Sequence, residues 1–540
     1  MKRGVKRGWS KLRSRLTCLL LMALIAACVH LPGPYATAIE QQVALGSASA
    51  TSKALVESAL RRIHDLDRAG PTLNSVLALN PQAVSDAGLR DRERREGRVR
   101  GPLHGVTVIL KDNIETDGDL ATTAGSVALS ANVTRRDAPI VKRLRESGAV
   151  ILGKANLSEW ANFRSTRSIA GWSGVGGLTR NPFALDRSAC GSSSGTAVAV
   201  AAGFATVGIG TETDGSIICP ASANGVVGLK PTLGLVSRTY IVPISPEQDT
   251  AGPIARSVAD AAAVLTAIAA SDDDDPATRE ADAHKMDYLA ALNRNALSGA
   301  RIGVLRGATA PAPQADAVFE RALAALRAAG ARLVEVKAPG DAQKAQLSSA
   351  EGEALRAEFR VAIDAYLAST PPTVTARTLD DLIAFNAVTP AETALFGQET
   401  FEIAAKTQGL SDPRYLEYRA AARRLAGPEG LDRMMREADV EVIVAQTGSP
   451  AAVIDPVNGT RFLGSPSTMP AVAGYPHLTV PMGEVMGLPV GLSFIGPKWS
   501  DARLLALGYA FEQLTHARRE PTFPPSITAH PEIAKAYERK

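Results

Sequence analysis

Apolar residues along the chain repeat in two ways that alternate from one end to the other. Helical spacing, with apolar residues three and four positions apart, marks residues 52–66 and 501–514. Short runs of β-rich residues lie between such stretches, at Val106–Leu110, Val150–Gly153 and Arg301–Leu305. Because no linker clearly divides the chain, this alternation predicts an α/β fold in which helices cover a sheet.

A polar loop and a long helical region interrupt this alternation. Residues 165–196 are rich in Gly, Ser and Asn, and loops of that length are usually functional or disordered. The small residues Ala197–Ala202 then predict a closely packed helix. Residues 277–440 are rich in Ala, Glu and Arg at helical spacing, and we expect them to shape a binding pocket.

Composition places the chain among soluble globular proteins. Of its 540 residues, 45% are hydrophobic and 21% are charged, which excludes disorder as the dominant state. The formal net charge is +4, but residues 1–38 hold seven basic side chains and no acidic one. The remainder is therefore slightly acidic, and we expect no nucleic-acid partner.

The first 38 residues have the organisation of an export signal. Basic residues precede an apolar run, Leu16–Val29, that is shorter than the roughly 20 residues of a membrane-spanning helix. The stretch 36–38 fits a signal peptidase site, whereas Ile25–Cys28 resembles a bacterial lipobox in which Cys28 is lipidated; both remain open, as does an uncleaved anchor. We expect a signal peptide over residues 1–38, one functional domain over 39–540, no stable membrane span, and a periplasmic or secreted protein.

Cysteine and histidine are scarce. Apart from Cys18 and Cys28 in the signal, the chain has Cys190 and Cys219, too few for a disulfide framework. We expect these two to be small buried residues, although an oxidising compartment leaves a disulfide between them open. No Cys/His cluster has zinc spacing, so the sequence gives no reason to expect a metal.

Two Gly/Ser passages and one lysine hold the candidate chemistry. The passages are Cys190–Gly195 and Gly210–Ser216, and each alone is typical of a turn. A serine hydroxyl is a poor nucleophile until a neighbour removes its proton. Lys111 follows an apolar strand, where burial would lower the pKa of its amine and make it a base, although a lysine commonly extends to the surface instead.

Two other serine hydrolase patterns fit poorly. The stretch 191–195 satisfies Gly-x-Ser-x-Gly with Ser193 as nucleophile, but that elbow needs a strand directly before it. Residues 181–190 include Pro182 and have little β character. A Ser-x-x-Lys hydrolase is disfavoured too, because no serine stands three residues before a lysine.

Taken together, the motifs resemble the amidase signature family in order and spacing. The matching residues, in chain order, are 108–113, 190–195, Ser216, Pro220, 225–232, 249–253, 473–476, 480–481 and 487–491. The resemblance covers roughly residues 50–520. It implies a single large α/β domain with a central mixed, twisted β-sheet covered by helices on both sides.

The resemblance also implies roles for individual residues. Ser216 resembles the nucleophile, Ser192 resembles the bridging serine that follows a cis peptide bond, and Lys111 resembles the base that starts proton transfer. The mechanism that the resemblance implies requires no metal or cofactor. The expected oxyanion hole consists of the backbone N–H groups around Thr213, Asp214, Gly215 and Ser216.

Departures from the usual sequence motifs of the family indicate one branch of it. Ile218 stands where the family usually has Arg, and the passage Glu212-Thr-Asp-Gly-Ser216 replaces Asp-x-Gly-Gly-Ser. These variants, with Cys190 and Cys219, are similar to the peptide amidase branch, which implies a peptide substrate with a C-terminal carboxamide. A general aliphatic or aryl amidase remains open, as does a non-catalytic envelope binding protein. A glutamine-dependent transamidating enzyme is disfavoured by the export signal.

Overall fold

A computed structural model describes residues 31–537, and one mixed sheet of eleven strands organises them. The predicted signal residues Leu16–Val29, including Cys28, lie outside the described residues. The strands are β1 (Val76–Leu79), β2 (Thr107–Lys111), β3 (Val150–Ala155), β4 (Trp172–Ser173), β5 (Gly177–Leu178), β6 (Val207–Glu212), β7 (Val227–Lys230), β8 (Thr250–Ala255), β9 (Arg301–Leu305), β10 (Arg332–Glu335), β11 (Val442–Gln446), β12 (His477–Val485) and β13 (Leu488–Ile495). The sheet order is β1-β3-β2-β6-β8-β7-β12-β13-β11-β9-β10, and β4 and β5 form a separate hairpin.

Helices pack on both faces of this sheet. They are α1 (Ala38–Gly46), α2 (Ser52–Ile63), α3 (Ala83–Arg95), α4 (Pro139–Glu146), α5 (Ser194–Ala201), α6 (Ile218–Ala223), α7 (Val258–Ile268), α8 (Ala281–His284), α9 (Pro313–Ala328), α10 (Asp341–Ala368), α11 (Leu379–Ala387), α12 (Pro390–Thr393), α13 (Glu399–Ala404), α14 (Pro413–Ala426), α15 (Asp432–Ala438), α16 (Thr468–Ala473), α17 (Asp501–Thr515) and α18 (Pro531–Tyr537). No helix within residues 31–537 is long and apolar enough to cross a membrane.

Strand β2 explains why both faces are covered. Successive side chains of a strand point to opposite faces. Val108 and Leu110 therefore join the core formed with α4, α7 and α17, whereas Ile109 joins a second core formed with α2, α3 and α5. By the same alternation, Lys111 lies on the side of Ile109, where the serine loop leads into α5. The predicted single large α/β domain is confirmed.

Most of the predicted elements are present, but several strands were not predicted, among them β1, β6, β7, β8 and β10. The runs at 106–110, 150–153 and 301–305 correspond to β2, β3 and β9. The prediction that residues 277–440 are otherwise helical is wrong at β10 (Arg332–Glu335). This strand is at the edge of the sheet with both ends exposed, so its sequence lacks the apolar run of a central strand.

Candidate active site

Lys111 is the last residue of β2, and its side chain is fully buried. Its Nζ atom donates to Ser192 Oγ at 2.7 Å and to Thr211 at two atoms, Oγ1 at 2.8 Å and the carbonyl oxygen at 3.1 Å. None of these three partners is a carboxylate. Burial lowers the pKa of Lys111 to about 7, opposed by the negative charges of Asp249 and Glu212. A large fraction of the amine is therefore uncharged at neutral pH, as a base requires.

The loop before α5 places Ser192 against this amine. All eight residues of α5, which begins at Ser194, are buried, because small side chains let the helix approach the sheet closely. The Gly191–Ser192 peptide bond is cis. The carbonyl oxygen of Ser192 accepts a hydrogen bond from the Ser158 N–H at 3.0 Å. Ser192 is thus held by its main chain while its hydroxyl contacts Lys111.

Ser193 joins the two serine passages, but its hydroxyl is already occupied. Its N–H donates to the Ser216 carbonyl oxygen at 3.1 Å. Its hydroxyl donates to the Thr211 carbonyl oxygen at 3.1 Å and accepts from the Thr211 N–H at 3.2 Å. Ser216 is only 8% exposed, and its hydroxyl forms no hydrogen bond with another residue of the described chain. That hydroxyl is therefore not engaged by another side chain and is available to a bound carbonyl group.

The turn 213–216 between β6 and α6 exposes a row of main-chain donors. The N–H groups of these four residues donate to no acceptor within residues 31–537. Gly215 has φ +79°, a conformation that favours glycine. The Glu212 carboxylate accepts hydrogen bonds from the next two N–H groups, those of Ile217 at 2.7 Å and Ile218 at 3.0 Å. The turn can therefore donate to a developing negative charge.

The side chains of Thr213 and Asp214 brace this turn. The Thr213 hydroxyl donates to the Asp249 carboxylate, and the Thr468 hydroxyl donates to Asp214 Oδ2 at 2.8 Å. Burial raises the pKa of Asp214. These contacts use side chains and leave the main-chain donors of the turn available.

A second buried lysine supports the end of β2 and was not assigned a role from sequence. Lys154 Nζ lies 3.0 Å from Asp112 Oδ1, and both side chains are buried. The same amine donates to the Ile114 carbonyl oxygen at 2.7 Å and to Thr122 Oγ1 at 2.8 Å. Because Asp112 follows Lys111 directly, this ion pair fixes the main chain beside the candidate base.

The expectation of two small buried cysteines is wrong. Cys190 and Cys219 form a disulfide, and both residues are half-buried. The bond crosses between the loop that carries Ser192 and the first turn of α6, just after Ser216. Spacing along the sequence could not reveal the pair, because the fold brings together residues that are 29 positions apart.

Two cavities adjoin these residues. One of about 280 Å³ is lined by Asn113, Thr211, Thr213 and Val242, and so reaches the residues that contact Lys111. The other, of about 240 Å³, reaches Thr468, which binds Asp214. Within the described residues no group of three or more His, Cys, Asp or Glu side chains has the arrangement of a metal site.

Thr211 is the other contact that sequence reasoning missed. It accepts two of the three hydrogen bonds of Lys111 Nζ, and Asn113 Nδ2 donates to its hydroxyl at 3.0 Å. The available signal was its place inside the passage Gly210–Ser216, where attention falls on the glycine and serine residues.

A buried lysine, two serine loops and a mixed sheet covered on both faces define an amidase signature enzyme. Residues 54–505 match the Amidase family, and the chain belongs to that family. It is 39% identical over 500 residues to the protein of Arabidopsis thaliana named "Probable amidase At4g34880", covering 90% of this chain and 91% of the relative. The protein is an enzyme that hydrolyses amide C–N bonds.

Solved structures give a narrower likeness. The native peptide amidase from Stenotrophomonas maltophilia is 51% identical, with a TM-score of 0.86 over 91% of this chain and all of that chain. The peptide amidase PAM in complex with the competitive inhibitor chymostatin is also 51% identical, with a TM-score of 0.87 over the same shares. The fold and family resemblance predicted from sequence, including the nearness to peptide amidases, is confirmed.

Proposed function

We propose that the protein hydrolyses the C-terminal carboxamide of peptides with Lys111 as base, Ser192 as proton relay and Ser216 as nucleophile. The observation that carries this proposal is the 2.7 Å contact between Lys111 Nζ and Ser192 Oγ. The amine in that contact is fully buried and has a pKa of about 7. A hydroxyl held by an uncharged amine is able to pass its proton on.

The first half of the reaction forms an acyl enzyme. Ser216 Oγ attacks the amide carbonyl carbon as its proton moves to Ser192 Oγ, and the Ser192 proton moves to Lys111 Nζ. The carbonyl oxygen becomes an oxyanion that accepts hydrogen bonds from the N–H groups of residues 213–216. Loss of one such donor typically costs about 2.7–4 kcal/mol of transition-state stabilisation.

The second half releases ammonia and then the acid. The proton returns from Lys111 through Ser192 to the leaving nitrogen, the C–N bond breaks, and ammonia departs. The acyl group remains as an ester of Ser216. Water then attacks this ester with the same relay as base, which yields the free carboxylic acid and restores the Ser216 hydroxyl. Every proton is carried by these side chains.

A peptide substrate is supported by two solved relatives. The chain is similar over 91% of its length to a peptide amidase, and one structure of such an enzyme holds the competitive inhibitor chymostatin. The two cavities, one lined by Thr213 and the other by Thr468, also offer room for a substrate near the turn. Aliphatic and aryl amides contain the same reacting carbonyl and nitrogen atoms as peptide amides. The preferred substrate class is therefore decided by comparing kcat/KM values.

An ammonia-release assay tests the proposal on peptide amides, free amino-acid amides and simple aliphatic amides. We expect the highest kcat/KM on peptide amides, with one peptide acid formed per ammonia. Faster turnover of aliphatic amides would overturn the peptide specificity and leave the chemistry standing. Ser216→Ala should abolish turnover with the circular dichroism spectrum unchanged, and retained ammonia release by that variant would contradict its role as nucleophile.

We propose further that the protein acts outside the cytoplasm as a lipoprotein processed at Cys28. A disulfide persists in oxidising compartments, which supports export. Ala38 is fully buried, and its N–H donates to both carboxylate oxygens of Asp260 at 3.0 Å. Arg256 donates to the Tyr35 carbonyl oxygen at 3.1 Å. A cut after residue 38 would remove these partners, so the fold favours processing upstream.

The intact mass of the exported protein tests this processing. We expect an N-terminus at Cys28 that carries a diacylglyceryl group, and Cys28→Ser should block both lipidation and cleavage. An N-terminus at Ile39 would contradict the proposal, as would a full-length chain.

A further inference from the structure

We propose that the Cys190–Cys219 disulfide is a positioning element that holds the Ser192 loop against the Ser216 turn. Its reduction should slow acylation while the fold persists. The inference rests on the proposed roles of Ser192 and Ser216. It assigns a function in catalysis to a bond that neither the family resemblance nor the comparisons assign.

The bond lies next to both serines. Cys190 is two residues before Ser192, and Cys219 is three residues after Ser216 in the first turn of α6. The two Cα atoms are 6.0 Å apart. The Cys219 N–H donates to the Gly215 carbonyl oxygen at 2.8 Å, so the half-cystine is joined to the turn with the main-chain donors. A shift of either cysteine therefore moves a reacting segment.

Hydrogen bonds tie the same two segments on either side of the disulfide. Upstream, Asn224 Nδ2 donates to the Ala189 carbonyl oxygen at 2.8 Å. Downstream, the Ser193 N–H donates to the Ser216 carbonyl oxygen at 3.1 Å. These flanking bonds do not depend on the cysteines, so the domain should stay folded after reduction. Between these two hydrogen bonds, the disulfide is the covalent link that joins the Ser192 loop to the segment with Ser216.

The conformation of Cys190 gives the loop a reason to move when the link is broken. Cys190 has φ +56°, a region that residues other than Gly, Asn and Asp rarely adopt. Its N–H donates to Ser188 Oγ at 3.1 Å and its carbonyl oxygen accepts from Ser194 Oγ at the start of α5, and neither partner lies on the segment that carries Ser216. Without the disulfide, only these local contacts hold the strained residue. Relaxation there shifts Ser192, which is two residues away.

The chemistry sets the size of the effect. Proton transfer needs heavy atoms about 2.6–3.2 Å apart, and misplacement by about 1 Å can cost ~10²-fold in rate. We therefore expect a tenfold to hundredfold loss of kcat on reduction. Both cysteines are half-buried, so a small reductant reaches them. A dithiol supplies two electrons and two protons, the S–S bond becomes two thiols, and the dithiol is oxidised to a cyclic disulfide.

The test measures labelling of Ser216 by a fluorophosphonate, together with kcat and KM on a peptide amide, before and after treatment with dithiothreitol. Mass spectrometry verifies reduction, and circular dichroism follows the fold. We expect slower labelling and lower kcat, little change in KM, a retained spectrum, and recovery on reoxidation. Cys190→Ala/Cys219→Ala should be slow from the start and insensitive to dithiothreitol.

Three results separate the interpretations. Verified reduction with a labelling rate within twofold of the oxidised enzyme overturns the positioning role. Loss of the circular dichroism spectrum together with activity overturns it too, in favour of a purely stabilising bond. Absence of label on Ser216 in the untreated enzyme contradicts the proposed nucleophile instead. The dithiothreitol arm uses the native chain, so the test stands even where the double variant does not fold.

Discussion

Two lysines lie fully buried near the ends of neighbouring parallel strands, yet they have different partners. Lys111 ends β2, and Lys154 is the next-to-last residue of β3. Lys154 Nζ is 3.0 Å from the Asp112 carboxylate. Lys111 Nζ contacts two hydroxyls and a carbonyl oxygen, from Ser192 and Thr211. The difference is one carboxylate within contact distance.

That carboxylate distinguishes Lys154 from Lys111, the lysine that we propose as the catalytic base. Burial lowers the pKa of both amines, but at Lys154 the charge and hydrogen bond of Asp112 oppose this effect directly. Removing one partner of a buried ion pair is costly, so the pair holds the chain in place. Hydroxyl partners impose no such restraint, and Lys111 is able to gain and lose a proton near neutral pH. The proton transfer that we propose through Ser192 depends on that freedom.

The largest expected effect comes from removing the amine of Lys111. Lys111→Met should lower kcat about 10²- to 10⁴-fold, because general base catalysis is lost. It should also raise the melting temperature. The pKa of Lys111 is lower in the folded chain than in the unfolded chain, so the native state binds fewer protons between about pH 7 and 10.5. The gain in stability should therefore be full below pH 7 and absent above about pH 10.5.

Lys154→Met is the matched control for that variant. It should lower the melting temperature, because the Asp112 carboxyl loses its buried partner. Thermal unfolding of both variants at pH 6.5 and ammonia release at pH 8 measure the two effects. Stabilisation by both substitutions would contradict the distinction between the lysines.

Substitutions of the two adjacent serines should differ almost as widely in their effect on kcat. Ser192→Ala breaks the contact with Lys111 and should reduce kcat about 10²- to 10⁴-fold. Ser193→Ala removes a hydroxyl that binds only the main chain of Thr211, and should cost less than tenfold. Single-turnover acylation of a peptide amide compares them. The reverse ranking would favour Ser193 as a nucleophile on a Gly-x-Ser-x-Gly elbow.

Asp112→Asn tests the same ion pair by changing the carboxylate partner of Lys154. The change removes the charge that faces Lys154 in a fully buried setting, and we expect a loss of about 3–5 kcal/mol in the free energy of unfolding. Urea titration gives this value. A loss below about 1 kcal/mol would show that the ion pair does not hold the end of β2.

The pH profile gives the smallest of these effects. Protonation of Lys111 removes the base, so the rate of fluorophosphonate labelling at Ser216 should fall about tenfold for each pH unit below 7. Above pH 7 the rate should reach a plateau. A rate that stays constant from pH 5.5 to 9 would mean that the amine does not act in this step.

The sequence was most informative where one strand or one motif decides the outcome. The apolar run before Lys111 predicted a buried strand ending at the lysine, and the strand is present with Lys111 as its last residue. The motifs around Ser192 and Ser216 indicated the family, and the family implied the fold. The roles of these three residues in catalysis remain predictions, and the structure adds the 2.7 Å distance between Lys111 Nζ and Ser192 Oγ.

Contacts between distant segments could not be predicted in the same way. The pairing of Asp112 with Lys154 depends on the register of β2 against β3, and the Cys190–Cys219 bond depends on how α5 and α6 pack. Each residue in these pairs has an ordinary local sequence. Their chemistry follows from burial and neighbours, which only the fold supplies.

Titration of the lysine amines by nuclear magnetic resonance tests the central claim most directly. Lysine labelled with ¹³C at Cε is incorporated, and Lys111→Met and Lys154→Met assign their two signals and so separate them from that of Lys230, which is also fully buried. We predict that Lys111 titrates near pH 7 and that Lys154, which faces the Asp112 carboxylate, titrates at a higher pH than Lys111. A Lys111 signal that titrates near pH 10, as for an exposed lysine, would contradict it.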